Sequence, residues 1–475
     1  MESRLQPSFR TSNRNIDRTG RRCRTIERQR WPESCAAERF RSVDSGLIVT
    51  RRGIVVLQPG IQQQGPPTPA FVIDHSILEE FVERFRRALD THWPNSILSY
   101  SFKTNSLPWL LSFMEKRGVW AEVVSDFEYR LALAVGYAPE QIVFNGPVKS
   151  RDCLREALCG GSLINLDSKR EVRWTAELAA ERPDSVLAVG LRVNWGLEAR
   201  VPGESTMRTD SSRFGFSPDN GELGDAISAL EAAGVRVAGL HMHRNSLTQS
   251  LEVYKASASV AAELISSMGL DLDWIDIGGG FFGSPSGDPT FDQYVSVIRD
   301  ELAGTVDIDR TQLIVEPGGS LIAVPIEFHA QVIDVKDIGD QRYIVTDASR
   351  TDIDPLFRRK RNFAIRVDPA GEATAPSRKC PEQVICGFTC MEDDRLTVLK
   401  DAQELKEGDR IVFYRVGAYT MSYQSPFIES PPAVYVRRGD SVDLVRRKGT
   451  TDDYLRGSTW TEAALPEPVP AHTEG

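Results

Sequence analysis

No run of about 18 or more consecutive apolar residues occurs in this 475-residue chain, so the sequence holds no candidate for a membrane-spanning helix. Positive charge is not in surplus either. A net charge of -10 argues against a nucleic-acid partner and leaves small anionic or zwitterionic substrates open. Cysteine is sparse: the seven residues Cys23, Cys35, Cys153, Cys159, Cys380, Cys386 and Cys390 are odd in number and fall outside metal-ligand spacing. Neither a disulfide framework nor a metal site is therefore expected, and a reducing cytoplasm fits best. Residues 1–45 lack the apolar segment of a secretory signal. They are Arg-rich without apolar periodicity and read as a disordered extension. An organelle transit peptide is the alternative, weakened by Glu2, Asp17, Glu27 and Glu33, and a start codon assigned too far upstream is another.

The rest of the chain carries two grammars. Gly46–Thr50 and Ile54–Gln58 are short β-branched runs, and residues 46–69 are expected to supply strands to a β domain. Ile77, Leu78, Phe81, Val82, Phe85 and Leu89 recur at helical spacing behind Ser76, which predicts a helix over Ser76–Leu89 capped by that serine. Eight apolar segments then alternate with amphipathic stretches: Ile97–Phe102, Ala121–Val124, Ile142–Phe144, Leu163–Leu166, Leu187–Val193, Val235–His241, Trp274–Ile277 and Leu313–Val315. Strand and helix in strict alternation predict an α/β fold, a (β/α)8 barrel over residues 70–322. Beyond it, Phe328–Val335, Tyr343–Thr346, Gln383–Cys386, Arg410–Tyr414 and Ala433–Val436 predict a C-terminal β domain over residues 323–446. Residues 447–475 turn polar and Pro-rich and read as a flexible tail.

Chemistry on such a barrel belongs at the C-terminal ends of the strands, and the polar oddities of the sequence gather there. Lys103 follows an apolar strand in Ser99-Tyr100-Ser101-Phe102-Lys103-Thr104-Asn105, where burial would lower its pKa for Schiff-base formation. An ordinary lysine snorkelling to water has the same local signature. His241 and His243 share one face of a strand, which suits a metal pair, a ring stacked on a flat cofactor, or plain packing. No third ligand in suitable spacing is evident. Gly278, Gly279 and Gly280 follow a strand directly and would let backbone N–H groups close on a phosphate. Glu316, in Val315-Glu316-Pro317-Gly318-Gly319, is a carboxylate at the barrel rim that needs a basic partner or the protonated nitrogen of a cofactor. In the β region, Cys390 is either a reactive thiol or a small buried residue, and Tyr419 either donates to a phosphate or packs.

In order and spacing these segments, from Thr68 to Phe427, resemble the fold-type III pyridoxal-phosphate decarboxylases, the family of diaminopimelate, ornithine and arginine decarboxylases. The resemblance implies pyridoxal 5'-phosphate as cofactor and Lys103 as its covalent anchor. It implies His243 stacked on the pyridine ring, Glu316 at the ring nitrogen, and Ser246, Gly278, Gly279, Gly280 and Tyr419 at the phosphate. Glu122, Ser125 and Arg192 sit where the family places residues near the lysine and ring. Cys390 would come from a second subunit and return a proton after decarboxylation, so a homodimer with shared active sites is implied.

Departures are informative too. Gly319 stands where the family has a phosphate-binding arginine, and Asn245 where it has a glycine, so cofactor affinity is either lower or rebuilt from Arg244. Where diaminopimelate decarboxylases grip the distal carboxylate, this chain has Met391 after the cysteine and Asp354 before Pro355. With Asp352 and the Asp393-Asp394 pair, that pattern resembles the decarboxylases of siderophore and other specialised pathways, which take diamino or conjugated amino acids. The alternatives are a racemase on the same fold and a non-catalytic regulatory relative.

Overall fold

The computed structural model describes residues 65–206, 212–283, 289–359, 363–371 and 378–459. The N-terminal extension and the runs Gly46–Thr50 and Ile54–Gln58 lie outside them. The first strand, β1 (Ala70–Asp74), leads into a helix over His75–His92 that buries Leu78, Phe81, Val82, Phe85 and Leu89. The cap is Asp74, not Ser76: its carboxylate accepts from the Ile77 amide at 3.1 Å and from the Ser76 hydroxyl at 2.6 Å. Asp74 directly precedes the first helical residue, where a side chain can reach the free amides, whereas Ser76 already lies in the first turn.

Eight parallel strands then close into a barrel: β2 (Ser96–Ser101), β3 (Trp120–Val123), β4 (Ile142–Phe144), β5 (Leu163–Leu166), β6 (Ala188–Arg192), β7 (Arg236–His241), β8 (Trp274–Gly278) and β9 (Gln312–Val315), with β9 pairing β2. All eight expected strands are present, with ends shifted by one residue at most, and helices separate them. Their outward faces pack on those helices in one large apolar core, whereas Ile97, Val143, Ala238, Trp274 and Ile314 touch one another in a separate cluster. Contributed from across the barrel, that cluster fills its interior. The Trp274 indole fits because Gly239 gives it room, since a Cβ there would strike the ring, while a Cβ at Gly190 would strike the Asn165 oxygen that accepts from the indole.

The second sheet runs in the order β14-β13-β11-β10-β1-β16-β17, with β15 also on β10 and β12 on β15. Its members are β10 (Ile326–Ile338), β11 (Gln341–Thr346), β12 (Ile365–Asp368), β13 (Lys379–Cys386), β14 (Arg395–Gln403), β15 (Arg410–Phe413), β16 (Ala433–Arg438) and β17 (Ser441–Arg446). Ala70–Asp74, placed by the sequence at the start of the barrel region, pairs here with β10 and β16, so the chain crosses from this sheet into the barrel and back. Arg437 on β16 ties the crossing together through Asp74 at 3.0 Å and Glu327 at 3.3 Å. Thr451–Leu455 forms a helical turn capped by Thr450, within the stretch expected to be a loose tail.

Candidate active site

Lys103 lies in the single 3-10 turn that follows β2, with its side chain 43 % exposed at the barrel mouth. Its Nζ donates to Glu122 Oε2 at 2.6 Å and to Ser101 Oγ at 2.7 Å, and Ser101 donates to the same Glu122 oxygen at 2.6 Å. Burial pulls the ammonium pKa down, but Glu122, Glu316 and the hydrogen bond to Glu122 outweigh it and raise it above the ordinary lysine value. The expected lowering is therefore corrected: two acids lie near this amine, and the one hydrogen-bonded to it, Glu122, holds its proton.

Glu122 opens a buried polar layer across the C-terminal end of the barrel. Asn145, just past β4, donates from Nδ2 to Glu122 Oε1 at 3.3 Å and also to Glu316 Oε1. Asn165 on β5 donates to Asn145 Oδ1 at 2.8 Å and to Asp276 Oδ2 at 2.9 Å, and accepts from the Trp274 indole at 3.3 Å. Burial, with Glu122 close by, pushes Asp276 up to about 7, and burial with Asp276 and Glu122 pushes Glu316 well above the usual carboxylate range. Glu128, whose carboxylate accepts from the Val124 amide at 2.9 Å, is pushed up to about 7, chiefly by burial. Asn145, Asn165, Asp276 and Glu128 were not among the expected site residues. The signal in the sequence was a polar residue in or just past an otherwise apolar strand, repeated on β4, β5 and β8.

His241 and His243 face the same way, with ring centroids 6.3 Å apart and planes 22° apart. His241, Asp276 and Glu316 bring one ligand atom each within 4.8 Å of one another, a grouping that spacing along the chain does not reveal. Both nitrogens of His241 are buried with no hydrogen-bond partner. Burial, then the positive charges of Arg192, Lys103 and Arg244, lowers His243 to about 3, so its ring is neutral; its Nδ1 accepts from the Gly279 amide at 3.2 Å. Gly278 has φ +78° and donates its amide to Asp276 at 2.8 Å. Two of the three glycine amides are thus occupied, which modifies the expected three-amide cradle. Gly280, with φ +88°, is exposed at the mouth.

Tyr419 reaches this site from the second sheet's side. Its amide donates to Thr104 O at 2.9 Å, and Asn105 donates to Gly417 O at 3.0 Å, so the Gly417-Ala418-Tyr419 turn is fastened to the turn that carries Lys103. Ser246 is half-buried on a loop, where its hydroxyl accepts from the Gln249 amide at 3.2 Å. Arg192 pairs with Asp167 at 3.3 Å and lies 4.5 Å from the Phe214 ring centre. Ser125 spends its hydroxyl as the N-cap of the helix Asp126–Val135. Gly319 opens a short helical turn facing Ala418, and Arg244 donates to Asn194 at 3.3 Å.

Cys390 stands apart from this set, exposed in the turn between β13 and β14. The acids near it are largely engaged. Asp354 is buried and accepts from Arg350 and from the Arg358 and Arg359 amides; Asp393 pairs with Arg350 at 3.0 Å; Asp394 accepts from the Arg350 amide at 2.7 Å and from Thr389 at 2.6 Å. Asp352 and Met391 line a cavity of about 480 Å³ with Phe357, Phe388, Tyr423 and Phe427.

A flat, phosphorylated pyridine aldehyde matches this donor set on three counts. A tethered primary amine stands at the mouth, a neutral imidazole flanks it, and a proton-bearing carboxyl lies across the layer. The glycine turn leaves no space for a side chain, since a Cβ at Gly278 would collide with His243 and one at Gly279 with the Glu316 carbonyl. The unpartnered nitrogens of His241 mark the same region as polar but not yet saturated.

Residues 78–323 match the family described as pyridoxal-dependent decarboxylase, pyridoxal binding domain. The chain is 27 % identical to diaminopimelate decarboxylase of Zymomonas mobilis over 403 residues, covering 82 % of this chain and 92 % of that one. It is 26 % identical to the Aquifex aeolicus enzyme of the same name over 399 residues, covering 81 % and 90 %. Among solved structures, diaminopimelate decarboxylase from Helicobacter pylori in complex with L-lysine superposes with a TM-score of 0.70 at 25 % identity, over 83 % of this chain and 97 % of that one. The arginine decarboxylase of Paramecium bursaria Chlorella virus shares the fold, with a TM-score of 0.65 at 19 % identity, over 78 % and 95 %.

Proposed function

The chain belongs to the pyridoxal-dependent decarboxylases and uses pyridoxal phosphate, and from that premise we propose that it removes the α-carboxylate of a diamino or conjugated amino acid in specialised, siderophore-like metabolism. The bound cofactor supplies the sink for the electron pair left on Cα when carbon dioxide departs. Lys103 is the group that anchors it, with Glu122 and Ser101 fixing Nζ at 2.6 and 2.7 Å. Glu316 holds the proton at the ring-nitrogen end. His243, uncharged, covers a ring face without competing for that proton. Ser246, Gly280 and Tyr419 take the phosphate, and Arg192 supports the charge balance around His243. Cys390 of the partner subunit returns a proton to Cα, which makes the active unit a homodimer.

The observation that carries this reading is the pairing of Lys103 with Glu122 at the barrel mouth, in one hydrogen-bonded layer with Glu316. The proposed substrate class rests on Asp354 and Met391. Asp354 is buried on Arg350 and backbone amides, and Met391 lines a cavity whose one lining cation, Lys448, is paired with Glu429, so neither position offers the cation that a distal carboxylate would need. The test is an absorbance spectrum with and without added pyridoxal phosphate, borohydride trapping, and carbon dioxide release across diamino acids, citryl-diamino acid conjugates and meso-diaminopimelate. A trapped adduct at Lys103 that disappears in Lys103→Ala, with release from a diamino acid or conjugate in preference to diaminopimelate, is the expected result. Adduct formation at another lysine would reject the anchor, and a preference for diaminopimelate would reject the substrate class.

A further inference from the structure

Between the amine at one end of the site and the carboxyl at the other lies Asn145, which touches both Glu122 and Glu316. Asn145 is 2 % exposed, and its Nδ2 donates to Glu122 Oε1 at 3.3 Å and to Glu316 Oε1, while its Oδ1 accepts from Asn165 at 2.8 Å. Every polar atom of this amide is thus used within the layer. We propose that Asn145 is a positioning residue that sets the charge on Glu122 and Glu316 together, and through them the proton affinity of the nitrogen on Lys103.

Charge counting explains why such a bridge is needed. Glu122, Asp276 and Glu316 are three buried carboxyls linked through Asn145 and Asn165, and Lys103 is the cation bonded to the first of them. His241, 3.7 Å from Glu316, does not compensate, because burial and the neighbouring cations keep it neutral. Three adjacent anions against one cation are costly in a low-dielectric interior, and the layer responds by retaining protons on Asp276 and Glu316. A neutral amide lowers that cost for two carboxyls at once, since its N–H hydrogens carry partial positive charge toward both. Glu128 and Tyr419 also face this group, from the helix after β3 and from the turn fastened to Thr104, and Asn145 is the side chain hydrogen-bonded to Glu122 and Glu316.

The sign of the effect follows. Without the amide, the carboxylate of Glu122 loses a donor, and the proton-bearing Glu316 loses the link that holds it in the layer. A Glu122 carboxylate left less well placed stabilises the positive charge on the Lys103 nitrogen less, and the proton on that nitrogen then leaves at lower pH. A hydrogen bond to a charged group is strong enough to move such a midpoint by about one pH unit.

This inference rests on the cofactor reading above, and the two fail differently. Holoenzyme, Asn145→Ala and Asn145→Ser would each be saturated with pyridoxal phosphate, and the visible band of the bound cofactor titrated with pH. The expected result is a midpoint lowered by about one unit in Asn145→Ala and by less in Asn145→Ser, which retains a hydroxyl donor. Midpoints equal to the parent's in both variants, with only a lower Tm, would overturn the proposal and leave Asn145 as packing. Absence of any band in the parent protein would instead reject the cofactor reading itself. Should Asn145→Ala not fold, the serine variant decides the matter alone: an unshifted midpoint there overturns the proposal, and a lowered one supports it.

Discussion

Glu128, Asp276 and Asp352 are carboxyls pushed up to about 7, each with burial as the leading cause. The first two belong to the layer around Lys103, so their protons are part of how the site tolerates several acids. Asp352 is different: Asp394 and Asp347 add to the effect of burial, and its carboxylate accepts from the Ser349 amide at 2.9 Å. A carboxyl whose folded pKa exceeds its ordinary 3.8 contributes fully to stability below that value and loses the contribution as pH rises through about 7. Asp352→Asn keeps the acceptor oxygen and removes the titration. Its Tm is therefore expected to fall less steeply than the parent's between about pH 4 and pH 7. Thermal melts of both proteins across that range check this, and parallel curves would show that Asp352 does not retain its proton.

At the scale of elements, the turn after β8 is where conformation and collision coincide. Gly278 has φ +78°, and a Cβ there would meet the His243 ring, whereas Gly269, the C-cap of the helix Leu251–Met268, has φ +64° with open space around it. Gly269→Ala should pay only backbone strain, about 1–2 kcal/mol. Gly278→Ala should show that loss and also weaken pyridoxal phosphate binding by roughly tenfold or more, because His243 is displaced. Equal cofactor affinity in the two variants would mean that His243 does not contact the ring. The same elements show what a sequence makes legible. Barrel strands announce themselves because burial on both faces demands continuous apolar runs, as in Ile142–Phe144. Lys103, His243, the glycines and Glu316 stand out because each interrupts such a run at its C-terminal end. Asn145 escapes because an amide past a strand also suits a turn, and Asn165 because one amide within a short apolar strand does not break its pattern; their partners, Glu316 and Asp276, lie 171 and 111 residues away. The half-exposed strands Ile365–Asp368 and Ser441–Arg446 escape because an alternating, polar edge has little to distinguish it from loop.

For the whole molecule, the decisive fact is that Cys390 and Lys103 occupy different parts of the architecture. Lys103 lies in the turn after β2, and Cys390 lies exposed between β13 and β14 of the second sheet. Tyr419, by contrast, is fastened to the Lys103 turn through Thr104, so the second sheet contributes one group from within the chain, and by our proposal another from the partner chain. A site assembled this way can be split genetically. Lys103→Ala and Cys390→Ala homodimers would each carry two defective sites, since every site lacks either the anchor or the proton donor. Mixed subunits in a two-fold dimer pair both lesions in one site and restore the other completely. With random exchange at equal amounts, half the dimers are hybrids with one good site in two, so about a quarter of wild-type activity should return. Carbon dioxide release before and after co-refolding or co-expression measures this directly. Recovery to that level requires Cys390 to act across the interface. No recovery, when cofactor still binds to Cys390→Ala, would place the thiol and the lysine of each site in the same chain and leave the dimer without a role in proton return.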